Sequence, residues 1–369
     1  MHYRPKRIAN MLATAAIVAA SLAAAGDIPM KTTVKREGDK VWLDGVTGWF
    51  VGDKESSVHA AQEVAMRAVG QDVSYDYLVG VSGLAFRMQV SKKGLCPSSP
   101  HSQCGFACVA RSLQALPLDV RIFNVKPDEK EKVAEARKAV VASIDSGIPV
   151  QYGMEEDGVI AGYQKNGEEW ICYHPLRDGG KKTFVETGWP WGIAVFATIK
   201  KQNPSKRDLA VGALEQAAQM AAAQESGGYF VGFRAWKEYI AKLKELHTAD
   251  AKARADAMMG NAWIYECLAQ YRTCAAKYLQ DVASEFPVQT AAHLKKAATL
   301  YNKMANEVLR DEKNCVVTIA PYPWALRGGE TWSDETLKGQ IRRLEEAFPI
   351  EQEAIKQIEA SLLLIKKKE

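Results

Sequence analysis

The sequence has no Gly-rich phosphate loop of the Walker type, no H-E-x-x-H pair and no G-x-S-x-G elbow. Those absences remove the motif-borne routes to nucleotide, zinc-protease and serine-hydrolase chemistry. Histidine is scarce, with six in 369 residues. The cysteines form no C-x-x-C knuckle, so Cys96, Cys104, Cys108 and His101 lack the spacing of a zinc site, and neither metal nor cofactor is expected. Charge of one sign is also lacking. Beyond the first 25 residues there is no apolar run of membrane length, no fixed-period repeat, no low-complexity tract and no heptad seam.

What stands at the start is different. "MHYRPKR" is a cationic segment, "IANMLATAAIVAASLAAA" an Ala-rich apolar one, and Ala23-Ala24-Ala25 before Gly26 a small-residue cleavage site. Together they read as a signal peptide over residues 1–25, without a twin-arginine signature and without a following cysteine to take a lipid. The competing reading is a weakly apolar anchor. Cleavage would remove Arg4, Lys6 and Arg7 and no acid, lowering the formal charge from +4 to +1. So near-neutral a chain argues against nucleic acid or an anionic membrane as partner. The mature protein is expected to be exported, periplasmic or extracellular, with no stable membrane span.

All seven cysteines follow that segment. Export permits disulfides, and an odd count leaves at least one thiol unpaired or intermolecular. Cys267 and Cys274 stand about 10.5 Å apart along a helix axis, too far to bridge. Cys96 with Cys104 or Cys108, and Cys315 with Cys267 or Cys274, are the candidate pairs.

Two regions read differently. From about residue 35 to 200, "SSVHAAQEVAMRAVG" is a helix capped by Ser56 or Ser57 and stopped by Gly70, and "KPDEKEKVAEARKAVVASIDSG" is an amphipathic helix ending at Gly147. "KVWLDGV", "GWFVG" and "LDVRIFNV" are strand-like, and "IPVQYGM", "GVIAGYQ", "EWICYHP", "KKTFVE" and "WGIAVFATI" follow as a meander with Gly- and Asn-bearing turns. Helices first and a meander second is an α+β order. "KKQNPSKRD" at 200–208 marks a boundary. Residues 209–369 read as helical throughout, packed on or beside the first domain. The last helix is expected from Ser333, with Pro349 kinking or dividing it.

The segment "CGFACVARSLQAL" places Cys104 at an expected helix start, where unsatisfied N–H groups favour thiolate and would serve as oxyanion donors. It resembles the nucleophile helix of papain-like bacteriocin-processing peptidases, and "SGIPVQYG…DGVIAGYQKNGEEWICYHP" resembles their meander. A longer stretch, "VHAAQEVAMRAVGQDVSYDYLVGVSGLAFRM" with the same meander and a helical C-terminal part, resembles the N-terminal domain family of butirosin biosynthesis protein H. That family is papain-like and is associated with acyl transfer. The resemblance implies a papain-like domain, N-terminal helices packed on an antiparallel sheet, followed by an α-helical domain. This chain departs from both patterns. The expected meander histidine falls within Glu155-Glu156-Asp157, His174 precedes Pro175 where an Asp or Asn is usual, and the family's His-Cys pair is matched by His59-Ala60.

Two functions follow. One is a non-catalytic descendant binding a small molecule or peptide. The other is a thiol-dependent hydrolase or acyltransferase acting on a peptide, amide or thioester. There Cys104 would be nucleophile, His174 base and Glu156 or Asp157 the orienting acid. The missing meander histidine favours the first. Its candidate ligand-binding residues are the loop aromatics Trp189, Trp191, Tyr322 and Trp324 with Arg327, and the glycines Gly80 and Gly83. Inter-domain packing is the competing reading of the aromatics, and close backbone packing or a turn that of the glycines.

Overall fold

The computed structural model describes residues 30–310 and 332–367. The expected signal segment, Cys315, Tyr322, Trp324 and Arg327 lie outside those residues. Along the chain run strands β1 (Thr33–Glu37) and β2 (Lys40–Asp44), helices α1 (Ser57–Ala68) and α2 (Tyr75–Val81), strand β3 (Gln89–Ser91), the short helix α3 (Ala110–Ala115), strand β4 (Leu118–Phe123) and helix α4 (Lys130–Asp145). Strands β5 (Val150–Gly153), β6 (Asp157–Gln164), β7 (Glu169–Tyr173), β8 (Phe184–Glu186) and β9 (Gly192–Ile199) follow. Then come helix α5 (Lys206–Ala222), strands β10 (Glu225–Ser226) and β11 (Tyr229–Val231), and helices α6 (Gly232–Thr248), α7 (Ala251–Val282), α8 (Val288–Lys303) and α9 (Asp334–Lys366). The class is mixed α and β, with an antiparallel sheet and a helical C-terminal region.

Contacts divide the chain into two compact units. The first comprises Ser57–Val73, Leu116–Asn203 and the described residues up to Asp53. Its sheet runs β1-β2-β6-β5-β9-β4, with β7 paired to β6 and β8 to β7, every pairing antiparallel. Helix α4 buries Ala136, Ala139, Val140, Ser143 and Ile144, spaced by three and four, against β5, β6 and β9. Helix α1 packs on β5 and β6. It stops as its sequence indicates, because Gly70 takes a φ of +71° and its amide closes on Arg67. Strand β1 was not foreseen, and the strand expected at 48–52 does not form. There the backbone closes on another loop instead of a ladder, since a Cβ on Gly48 would meet the Gly180 carbonyl at 2.1 Å.

The second unit comprises Lys54–Ser56, Ser74–Ala115 and the described residues from Pro204 onward. Helix α9 packs on α5, α6 and α8, and α7 packs on α2 and α8. Residues after 208 are not helical throughout, because the Gly227-Gly228 turn closes the β10–β11 hairpin, which adds to β3. Ser333 caps α9 through the Thr336 amide, as its sequence indicates. Pro349 does not divide α9. The buried positions Leu344, Ala347, Glu351, Ala354 and Ile355 continue the same face across it, so packing outweighs one lost backbone bond.

Within this unit Arg272, fully buried on α7, forks onto Glu351 of α9 at 2.7 and 2.9 Å. Its remaining N–H groups reach the carbonyls of Ala85, Phe86 and Arg87. Removing one charge from such a pair strands the other without solvent. Glu351→Ala is therefore expected to cost about 3–5 kcal/mol in urea unfolding. A loss under about 1 kcal/mol would contradict that role.

Candidate functional site

In the first unit the start of α1 meets the turn between β5 and β6. The Ser57 hydroxyl donates to Glu156 Oε2 at 2.5 Å and accepts from the Asp157 amide at 2.9 Å. Asp157 Oδ2 in turn accepts from Gln151 Nε2 at 2.5 Å. The turn itself is closed by the Met154 amide on the Glu156 carbonyl. Two carboxyls are thereby fixed side by side at the end of a sheet, beside the first residue of a helix.

A helix N-terminus favours negative charge. Burial opposes it, and burial wins. Loss of water raises the Glu156 carboxyl from 4.5 to about 7, against the Ser57 hydrogen bond and with help from the neighbouring Asp157 and Glu155 charges. Asp157 rises from 3.8 to about 6 for the same first reason, with Gln151 pulling it down.

His174 lies at the end of β7, and both its ring nitrogens are engaged with backbone. The Leu176 amide donates to Nδ1 at 3.3 Å, so Nε2 carries the proton and faces the Glu156 carbonyl at 3.3 Å. Burial lowers its pKa, against the Glu156 carbonyl, which raises it. The ring is neutral and its basic nitrogen is occupied. Asp157, expected to orient that ring, is bonded to Gln151 instead.

The same end of the sheet carries an aromatic. Gly153 of β5 stands opposite Asp157 of β6 on one side and Gly192 of β9 on the other. The Trp191 amide donates to the Gly153 carbonyl at 2.9 Å, and the Trp191 side chain is 67% exposed. Trp189 is more enclosed. Its Nε1 donates to the Val125 carbonyl at 2.8 Å, and the Arg137 guanidinium lies 5.8 Å from its ring centre.

Cys172 is the one cysteine among the described residues of this unit. It is buried, and burial pushes its thiol well up, away from thiolate. Ala60, at the place the butirosin-type pattern gives to cysteine, is buried within α1.

Cys104 belongs to the second unit, whereas His174, Glu156 and Asp157 belong to the first. Its expected place at a helix start is corrected: Cys104 sits in a turn closed by its own amide on the His101 carbonyl, and α3 begins only at Ala110. Gly105 explains the shift. It takes a φ of +62°, which breaks a helix there. The macrodipole that was to favour a thiolate is therefore not at hand. All six described cysteines are free, so the candidate pairs of Cys96 are not formed in the structure.

Gly80 and Gly83 are buried in the second unit. A Cβ on Gly80 would stand 2.1 Å from the Tyr278 ring, and Gly83, at φ +83°, lies against the Gln216 side chain. Close approach and turn geometry account for both. Ser57 and Gln151 were not foreseen as partners of the carboxyls. The only trace of Ser57 in the sequence is its place as a helix cap, and Gln151 leaves none.

No protein-family model matches the chain, and a search of curated proteins returns no match.

The carboxyl pair has a consequence for stability. Folding raises both pKa values, so the folded chain holds these protons more tightly than the unfolded one. The stabilisation is complete below about pH 4 and is lost as pH rises through about 6 to 7. Glu156→Gln, which cannot ionise and keeps an acceptor for Ser57, is expected to match the parent at about pH 4. At about pH 8 it should exceed the parent by about 1–3 kcal/mol in urea unfolding. Parallel pH profiles for the two proteins would contradict the assignment.

Proposed function

We propose that the chain is an exported protein whose first unit is a papain-like descendant that binds a ligand or partner and no longer carries out thiol chemistry. One observation carries the reading: the turn Glu155–Asp157, where the family's base would stand, abuts the start of α1 through Ser57, while the residue after His59 is a buried alanine. A helix start facing a strand start is the arrangement such catalysis needs, and here it holds two carboxyls and a hydroxyl. A carboxyl raised by burial gains most from a partner that restores its charge, so the ligand offers a cation or hydrogen-bond donors. Trp191, exposed at the same sheet end, supplies an aromatic surface for the remainder, a peptide or small amine.

The hydrolase alternative receives no such support. The ring of His174 is committed to backbone at both nitrogens, and Cys104 lacks a helix terminus.

The test uses the full chain. With an acyl thioester as substrate, thiol release is expected at the background rate and unchanged by Cys104→Ala. Turnover lost in Cys104→Ala would restore the enzyme reading. A panel of dipeptides carrying Lys or Arg, followed by tryptophan emission, is expected to yield binders that Trp191→Ala weakens by roughly tenfold. No binder, or binding indifferent to Trp191, would overturn the proposal.

A further inference from the structure

Strand β4 closes one end of the first unit's sheet, and among the described residues its outer side pairs with no strand. The Lys200 amide donates to the Pro117 carbonyl, so the backbone of Pro117 turns toward β9. Backbone direction alternates along a strand, which turns Asp119, Arg121 and Phe123 toward β9 and Leu118, Val120 and Ile122 outward. The bulge between Leu118 and Val120 leaves that count intact, because its extra residue lies on β9, where Ile199 and Phe196 are the partners. The amides and carbonyls of Leu118, Val120 and Ile122 therefore form an open edge.

Open edges are ordinarily guarded by lysine, by proline or by brevity. Strand β8 has three residues, and β1 carries Lys35 and Arg36. Strand β4, LDVRIF, has neither lysine nor proline, and its Ile122 is 52% exposed. Its two charges are opposite in sign and flank Val120. Asp119 accepts from the Thr198 hydroxyl at 3.5 Å, and Arg121 bonds Glu135 of α4. Both side chains are exposed. An antiparallel copy of β4 centred on Val120 sets Asp119 opposite Arg121 on both sides of the centre. Those are non-hydrogen-bonded positions, where side chains come closest. Val120 then faces Val120, and Leu118 faces Ile122, as hydrogen-bonded pairs. Centring on Ile122 would set Arg121 against Phe123, and centring on Leu118 would set Asp119 against Pro117. Only the Val120 centre matches the charges.

We propose that the outer edge of β4 is an interface between two copies of this chain, joined antiparallel about Val120 into one continuous sheet. The pairing covers each Ile122 with Leu118 of the second copy. It also brings a second carboxylate to each Arg121 guanidinium, beside Glu135. Two six-residue strands bury less surface than a standard interface, so the association is weak and depends on concentration.

Sedimentation of the full chain is expected to show a monomer–dimer equilibrium with a dissociation constant below about 1 mM. Asp119→Arg and Arg121→Asp, each checked for native circular dichroism, should both sediment as monomers when alone. Their equimolar mixture should recover the dimer, since every acid then faces a base. Val120→Cys gives a reading that does not depend on those charges. Partners in a hydrogen-bonded pair stand about 5.5 Å apart at Cα, within disulfide reach. Mild oxidation should therefore link two copies of the tryptic peptide 112–121, whereas Ile122→Cys, set opposite Leu118, should give no link at its own position. A monomer at every concentration up to about 1 mM, a mixture no more associated than its components, or linkage at 122 in place of 120 would overturn the proposal.

Discussion

The hydroxyl of Ser57 is the point at which the first unit's helix and sheet are registered to each other. By donating to Glu156 and accepting from the Asp157 amide, it fixes where α1 begins and where β6 begins with one side chain. The rest of the site follows from that placement. It sets two adjacent carboxyls into the same enclosed corner, and their mutual repulsion and loss of water follow from the geometry. Such strain is ordinarily removed where nothing needs it, so its presence beside an exposed tryptophan marks the place to look for a ligand.

The second unit solves a related problem with the opposite charge, twice. Arg272 is matched by a carboxylate and three carbonyls, and it ties α7 to α9 and to the chain around residue 86. Arg87 has no carboxylate among its hydrogen-bond partners and is satisfied by five carbonyls of one loop. The first arrangement joins elements distant in sequence. The second gives shape to a stretch that has no regular structure of its own.

Much of the fold was legible because it depends on periodicity and on stop signals. The amphipathic pattern of α4, the cap at Ser333 and the glycine end of α1 need only local physics. The meander was readable from its alternating apolar runs. What failed depended on contacts between distant residues. The strand expected at 48–52 gave way to the approach of Gly48 to Gly180, and the helix expected at Cys104 gave way to a loop organised by Arg87 and Gln89. At the site, Glu156, Asp157 and His174 were singled out by where an imidazole should have been, but their partners were not. No sequence pattern announces that Ser57 and Gln151 stand beside those carboxyls, because both meet them only through the fold.

The most direct measurement is the carbon-13 titration of the Glu156 side-chain carboxyl in the folded, full-length protein, assigned by comparison with Glu156→Gln. A midpoint near 7 is expected, moved there by burial beside Ser57 and Asp157. A midpoint at the ordinary value of about 4.5 would mean that the carboxyl is solvated and that the enclosed corner does not exist.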